Sequence, residues 1–388
     1  MSEQIFSIRC PTNIQFGAGS AVASLSAIAE LGRRALLIHG ASPGRAQWLV
    51  DGLTEQGLAL SFASCPREPD IELIEACVEV GRGAGVELVI GVGGGAVIDT
   101  AKAVAGLIPA QGQVMDYLEV VGGGQPLEAH PLPWVALPTT AGTGAEVTRN
   151  AVIDVPRSRR KVSLRDDRLL PTLAIVDPDL TAEAPRSVVL ASGLDAITQV
   201  IEPYISGEAS RFTDALCRDG IATGLPALMR LLDQSPAAPE SISAAREQMA
   251  WVSLCGGLAL ANAKLGAVHG LAGPLGGILN APHGAIAGCL LPAVLAANQA
   301  HCQSQPDTAA RIAEVELALA QALAVDRHEA FAALAAWSSR QGLPGLKQMG
   351  LAESDCRSVA EAAQTSSSMR GNPVKLSVAT LEGILRRS

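Results

Sequence analysis

The chain has 388 residues, 48% of them hydrophobic, with 39 glycines, few aromatics and a net charge of −9. That length accommodates two domains of ordinary size, and the bias to small residues suits close packing in an α/β or α protein. The acidic balance argues against nucleic acid or an anionic membrane as a partner recognised through the overall field. Eight scattered cysteines without a C-x-x-C pair read as buried thiols, not as a disulfide framework or a zinc ribbon. The opening MSEQIFSIRC lacks the basic segment and apolar core of a secretory signal, so the cytoplasm is the expected compartment.

RRALLIHG (33–40) reads as a buried strand, GRAQWLVDGLTEQG (44–57) as a helix and LALSFAS (58–64) as a strand. IELIEACVEVGRGAG (71–85) is helical, VELVIGVGGG (86–95) is a strand running into glycines, AVIDTAKAVAGLI (96–108) is helical and LPWVALPTTAG (132–142) returns to strand. Such alternation predicts parallel strands joined by helical crossovers. After TLAIVDPDLTAEAPRS (172–187) the strand signal ends and Ala-rich helical periodicity runs onward. The expected architecture is an α/β domain over 1–185 and an all-helical domain over 186–388. Residues 252–297 are apolar apart from Lys264, but polar residues and prolines interrupt them before about twenty clean residues accumulate, so they read as buried core helices and not as a membrane span.

Gly93, Gly94 and Gly95 stand between an apolar strand and a helix. Glycines let a backbone approach a phosphate, and a helix N-terminus offers unpaired N–H groups; the alternative is a tight turn, and the strand-loop-helix context favours the phosphate. The spacing is neither G-x-G-x-x-G nor a Walker loop. PTTAGTGAEVT (138–148) also follows a strand and adds the hydroxyls of Thr139, Thr140, Thr143 and Thr148. It fits either a Thr-rich turn capping a helix or the edge of a cofactor site. Taken together, the two loops suggest a dinucleotide lying across strand ends.

In the helical half, VHGLAGPLGGILNAPHG (268–284) carries two of the chain's six histidines, His269 and His283, in its most apolar neighbourhood. Each is either a buried histidine with a backbone partner or a metal ligand. In ASGLDAITQVIEPYIS (191–206), Asp195 reads as lying near the start of an apolar helix, where it caps the helix or supplies a carboxylate ligand. Gln199 lies one turn later on the same face. One carboxylate and two neutral imidazoles form an oxygen/nitrogen set that binds zinc or ferrous iron with positions left open.

The ordered set IQFGAGS (14–20), GGGAVIDTAK, PTTAGTGAEVT, DAITQVIE, VHGLAGPLGG, NAPHG and GNPVKLS (371–377) spans nearly the whole chain and resembles the iron-containing (group III) alcohol dehydrogenase family. The resemblance implies a dinucleotide-binding α/β domain followed by a helical metal- and substrate-binding domain, with metal and substrate in the cleft between them. Carried over by position, Asp195, His269 and His283 are metal ligands, with Gln199 in the place where most metal-dependent members have His. Gly94, Gly95, Ala96, Asp99, Thr139, Thr140, Thr143, Thr148, Asn150 and Lys161 surround the cofactor. Gly273 stands where many members have a further His, and no proton acceptor is assigned. The acidic position at the end of the first domain's early strand falls on Gly40, followed by Ser42 and Arg45, which points to acceptance of NADP as well as NAD. The implied activity is metal-dependent NAD(P) oxidoreduction of a small alcohol and its aldehyde or ketone, with iron or zinc, in a cytoplasmic homo-oligomer that binds neither nucleic acid nor membrane. A maleylacetate reductase-like oxo-acid reductase, a dehydroquinate synthase-like lyase on the same fold and a non-catalytic binding protein are the rival readings.

Overall fold

The structure, a computed structural model, describes residues 5–11, 13–158, 160–233, 238–279 and 281–388. Asn280 of the NAPHG motif lies outside them. Two compact units emerge: Cys10–Thr140 with Gly144–Glu183, and Ala184–Ser388 with the N-terminal residues up to Arg9 and with Ala141–Thr143. This differs from a single cut at 185. Arg9 joins the helices because its backbone exchanges two hydrogen bonds with the Asn262 side chain, and Gly142 because its carbonyl accepts from Gln199.

The α/β unit runs β1 (Ile14–Phe16), α1 (Ser20–Ala23), α2 (Leu25–Ala29), β2 (Arg34–His39), α3 (Gln47–Glu55), β3 (Ala59–Ser64), α4 (Ile71–Ala84), β4 (Leu88–Gly93), α5 (Gly95–Leu107), α6 (Val114–Tyr117), β5 (Trp134–Pro138), β6 (Asn150–Val155), β7 (Arg160–Arg165) and β8 (Leu173–Val176). Six strands form a parallel sheet in the order β1-β8-β5-β4-β2-β3. Its central strands β4 and β5 are buried throughout, as expected for a sheet covered on both faces. IQFGAGS is the first turn of this unit: Gly17 and Gly19 take φ of 132° and 76°, and Asp177, just after β8, accepts from the Gly19 and Ala21 N–H groups. Sequence reading missed the antiparallel β6–β7 hairpin. Charged and polar residues alternate with the apolar ones in both strands and the tip is rich in arginine, so neither strand is a continuous apolar run like those of the parallel sheet.

The helical unit comprises α7 (Arg186–Ile205), α8 (Arg211–Leu232), α9 (Pro239–Ala263), α10 (Ala267–Gly276), α11 (His283–His301), α12 (Pro306–Leu323), α13 (Ala330–Arg340), α14 (Cys356–Gln364) and α15 (Val378–Arg387). One continuous core of leucine, valine, isoleucine and alanine fills it. α7 is long and apolar enough to cross a membrane, but 83% of its most apolar window is buried inside the protein. α9 and α10 meet the same test only as a pair bent by 98°. These are core helices packed closely through glycine. Gly273-Pro274 lies inside α10, while Pro282 is the residue before α11.

Candidate functional site

α7 is an almost wholly buried apolar helix crossed by one polar stripe. Ser192, Asp195, Gln199 and Glu202 follow at helical spacing and therefore share a face. Asp195 sits in the middle of α7, not near its start, because the SVVLAS segment upstream continues the helix back to Arg186. It therefore caps nothing, and the capping alternative falls.

Glycines bring the neighbouring helices onto this stripe. A Cβ on Gly288 of α11 would lie 2.7 Å from Leu194 Cβ, and one on Gly284 would run into the Ala191 carbonyl. A Cβ on Gly256 of α9 would lie 2.9 Å from Gln199 Cβ. His283, the first residue of α11, is thereby carried to Asp195. His269 arrives on α10, whose first N–H groups are capped from a distance. Glu202 accepts from the Val268 N–H at 2.6 Å, and Asn372 Oδ1 accepts from the Ala267 N–H at 3.0 Å. Asn372 belongs to GNPVKLS, and its own amide is held by Asn298 and the Val374 carbonyl.

Glu202 has a second task. It pairs with His269 Nδ1 at 2.7 Å, which places the imidazole's Nε2 3.4 Å from Asp195 Oδ1. With Nδ1 donating, Nε2 of the neutral ring presents its lone pair. Burial presses this imidazole towards neutrality, but the Asp195 and Glu202 carboxylates outweigh burial and push its pKa up to about 10. The pair thus creates a strong preference for positive charge at this point, and a metal ion would displace the proton. Sequence reading passed over Glu202. Its signal was present, two turns after Asp195 on the same face.

Donor atoms of Asp195, His269 and His283 all lie within 4.8 Å of one another, and the two imidazole centroids are 5.4 Å apart. Asp195 Oδ1 and Gln199 Oε1 are both buried and accept no hydrogen bond. Burying two oxygens without donors is costly, and a divalent cation removes that cost. The residues fit a metal. Gly273 lies one turn beyond His269, where an added Cβ would meet open space. The Lys264 ammonium, the single lysine or arginine that the sequence places within 252–292, pairs with Glu208.

In the α/β unit the expected cofactor residues fall into two groups. Gly40, Gly94, Gly95, Ala96, Thr139 and Thr140 follow the C-terminal ends of β2, β4 and β5, neighbours in the sheet, with Val92 opposite His39 and Pro138 opposite Gly93. The strand order reverses between β2 and β4, the location where open α/β sheets bind ligands. α5 starts at Gly95 with no acidic residue in its first turn, which suits an anion. Gly93 is glycine for packing: a Cβ there would lie 2.5 Å from Val97. Gly94 has room, with Thr140 beside it.

The second group lies around the loop that follows β5, and part of it is engaged with a buried lysine. Lys102, fully buried, donates to the Ala145 carbonyl (2.8 Å), Thr148 Oγ1 (2.8 Å) and the Asn150 carbonyl (2.7 Å). Asp99 stands 3.5 Å from this ammonium and accepts from the Val152 N–H at 3.0 Å. Burial pushes Asp99 up to about 6, with Lys102 opposing, and lowers Lys102 itself. Thr148 also donates to the Ala145 carbonyl, so its hydroxyl is fully engaged. Lys161 lies 3.7 Å from Glu68. Thr143 falls in the Ala141–Thr143 segment of the helical unit. Arg45 is tied to the carbonyl and carboxylate of Glu183, which removes the free guanidinium expected beside Gly40.

The family model for iron-containing alcohol dehydrogenase matches residues 11–178, and that for the C-terminal region of the same family matches 189–388. Long-chain-alcohol dehydrogenase 1 of Geobacillus thermodenitrificans is 39% identical over 255 residues, 64% of this chain and 62% of that one. The NAD-dependent methanol dehydrogenase of Bacillus methanolicus is 31% identical over 363 residues, 92% of each chain. Among solved structures, a 1,3-propanediol oxidoreductase superposes with a TM-score of 0.86 at 29% identity, covering 99% of this chain and 100% of the other.

Proposed function

The chain belongs to the iron-containing alcohol dehydrogenase family, NAD(P)- and metal-dependent oxidoreductases of alcohols and aldehydes, and on that premise we propose that Asp195, His269 and His283 hold its divalent metal beside a small alcohol or aldehyde. The observation that carries this is the convergence of the three donors on a buried point where Asp195 Oδ1 accepts no hydrogen bond. When bound, the ion supplies Lewis-acid polarisation of the substrate oxygen and the nicotinamide cofactor takes or gives the hydride. This chain's residues supply the rest. Glu202 orients His269, the α10 and α11 glycines exclude bulk from the crossing, and the α5 N-terminus with Thr139 and Thr140 receives the cofactor phosphates. Iron and zinc both suit the donor set. A cytoplasmic homo-oligomer completes the reading by analogy with the family, and sedimentation checks the oligomer.

Metal analysis combined with cofactor reduction tests the proposal, over a panel from methanol through diols to long-chain alcohols. Wild type is expected to hold stoichiometric metal and turn over, whereas Asp195→Ala, His269→Ala and His283→Ala lose tight metal binding. Full metal content and turnover in all three variants would refute the assignment.

For the cofactor, β2 ends at His39 and is followed by Gly40, with no carboxylate there to repel a 2′-phosphate. NADP(H) is therefore accepted at least as well as NAD(H), even with Arg45 engaged elsewhere. Gly40→Asp is expected to shift the ratio of kcat/KM values towards NAD. A strong native preference for NAD, unmoved by the substitution, would leave Gly40 as a turn residue only.

A further inference from the structure

Gln199 occupies the place on the α7 stripe one turn after Asp195, and its two amide atoms have opposite fates. Nε2 donates to the Gly142 carbonyl at 3.0 Å, while Oε1 is buried and accepts nothing. A carbonyl only accepts, so the amide cannot be turned over without setting two oxygens face to face. Gly142 is itself held in position: a Cβ on it would lie 2.7 Å from Ser192 Cβ, on the same α7 face. Gly256 of α9 also packs closely on the side chain, against Gln199 Cβ. The side chain is thus locked by packing and by one hydrogen bond, with its only free acceptor beside the Asp195–His269–His283 cluster in sequence and on the helix face.

We propose that Gln199 is a fixed fourth donor: its Oε1 binds the metal, and its Nε2 ties metal occupancy to the backbone of the Ala141–Thr143 segment. This rests on the metal reading above and goes beyond it in two respects. A neutral oxygen replaces the nitrogen donor expected there, giving two oxygens and two nitrogens around the ion. The segment at Gly142 also becomes ordered by the ion through one side chain, because polarising the amide at oxygen strengthens the hydrogen bond donated from its nitrogen.

Anaerobic Co2+ titration of the purified protein tests this, read by visible d–d bands and by competition with a chelator, alongside amide hydrogen exchange of the peptide containing 141–143. Gln199→Met keeps the length and volume and removes both amide atoms. It is expected to weaken Co2+ by about a hundredfold, the upper end of what loss of a ligand's supporting partner produces. It should also shift the bands and abolish the metal-dependent protection of 141–143. Gln199→His, which restores a donor, regains affinity with bands unlike those of wild type. Unchanged affinity and bands in Gln199→Met overturn the proposal while leaving the three-ligand site intact. Wild type that binds no Co2+ overturns both. If the Met variant melts below wild type in metal-free form, the His variant decides, and bands identical to wild type's overturn the assignment.

Discussion

Lys102 in the α/β unit and Asp195 in the helical unit are both charged residues buried to within 1% of full burial on interior helices, yet their surroundings answer them in opposite ways. Every proton of the Lys102 ammonium has an acceptor, and Asp99 supplies the counter-charge. On α7, Asp195 Oδ1 and Gln199 Oε1 accept nothing, although Glu202 on the same stripe is saturated by three donors on α10. A buried polar group that is fully satisfied holds a fold together. Two oxygens left without donors on one helix face, beside a glutamate that is fully served, are what the proposed metal would answer. The difference also sorts the family's motif residues: Asp99, Thr148 and the Asn150 carbonyl are engaged around Lys102 in the loop after β5, while the residues at the ends of β2, β4 and β5 are those proposed above for the cofactor.

The largest expected effect would break the α/β side of this comparison. Lys102→Met strands three acceptors and the Asp99 carboxylate, and is expected to cost about 3–5 kcal/mol of unfolding free energy in denaturant titrations. A loss within about 0.5 kcal/mol, the range of a surface substitution, would mean that the cluster is not structural. Next, Glu202→Gln sharpens the helical side. It removes the charge behind His269 and is expected to lower metal affinity roughly 10–100-fold, with the fold retained. Affinity equal to wild type would show that His269 is oriented without it.

The smallest effect concerns pH. Burial raises Glu146 from 4.5 to about 7, its own backbone hydrogen bond and Lys102 only partly opposing. Its folded pKa lies above its unfolded value, so its contribution is complete below pH 4.5 and is lost as pH rises through about 7. Asp99, raised to about 6, acts in the same direction. Unfolding free energy is therefore expected to fall across that window. Glu146→Gln should flatten the slope, and an identical pH profile in the variant would remove Glu146 as its source.

The sequence by itself determined the alternation of strands and helices, the glycine loop between β4 and α5, and the presence of Asp195, His269 and His283 as candidates, because period, turn chemistry and residue type are local properties. The glutamine at 199 was equally legible, as was its helical spacing from Asp195. Tertiary structure alone decided which groups were satisfied. Gln199 finds Gly142 across 57 positions and His269 finds Glu202 across 67, so neither bond leaves a local trace. The acceptors that surround Lys102 lie 43 to 48 positions further along the chain, and Asp195 read as lying near a helix start until α7 continued back to Arg186. The physical reason is the same throughout. Burial and hydrogen bonding are set by what the chain brings from far away, and whether a polar atom braces the fold or waits for a ligand depends on those distant partners.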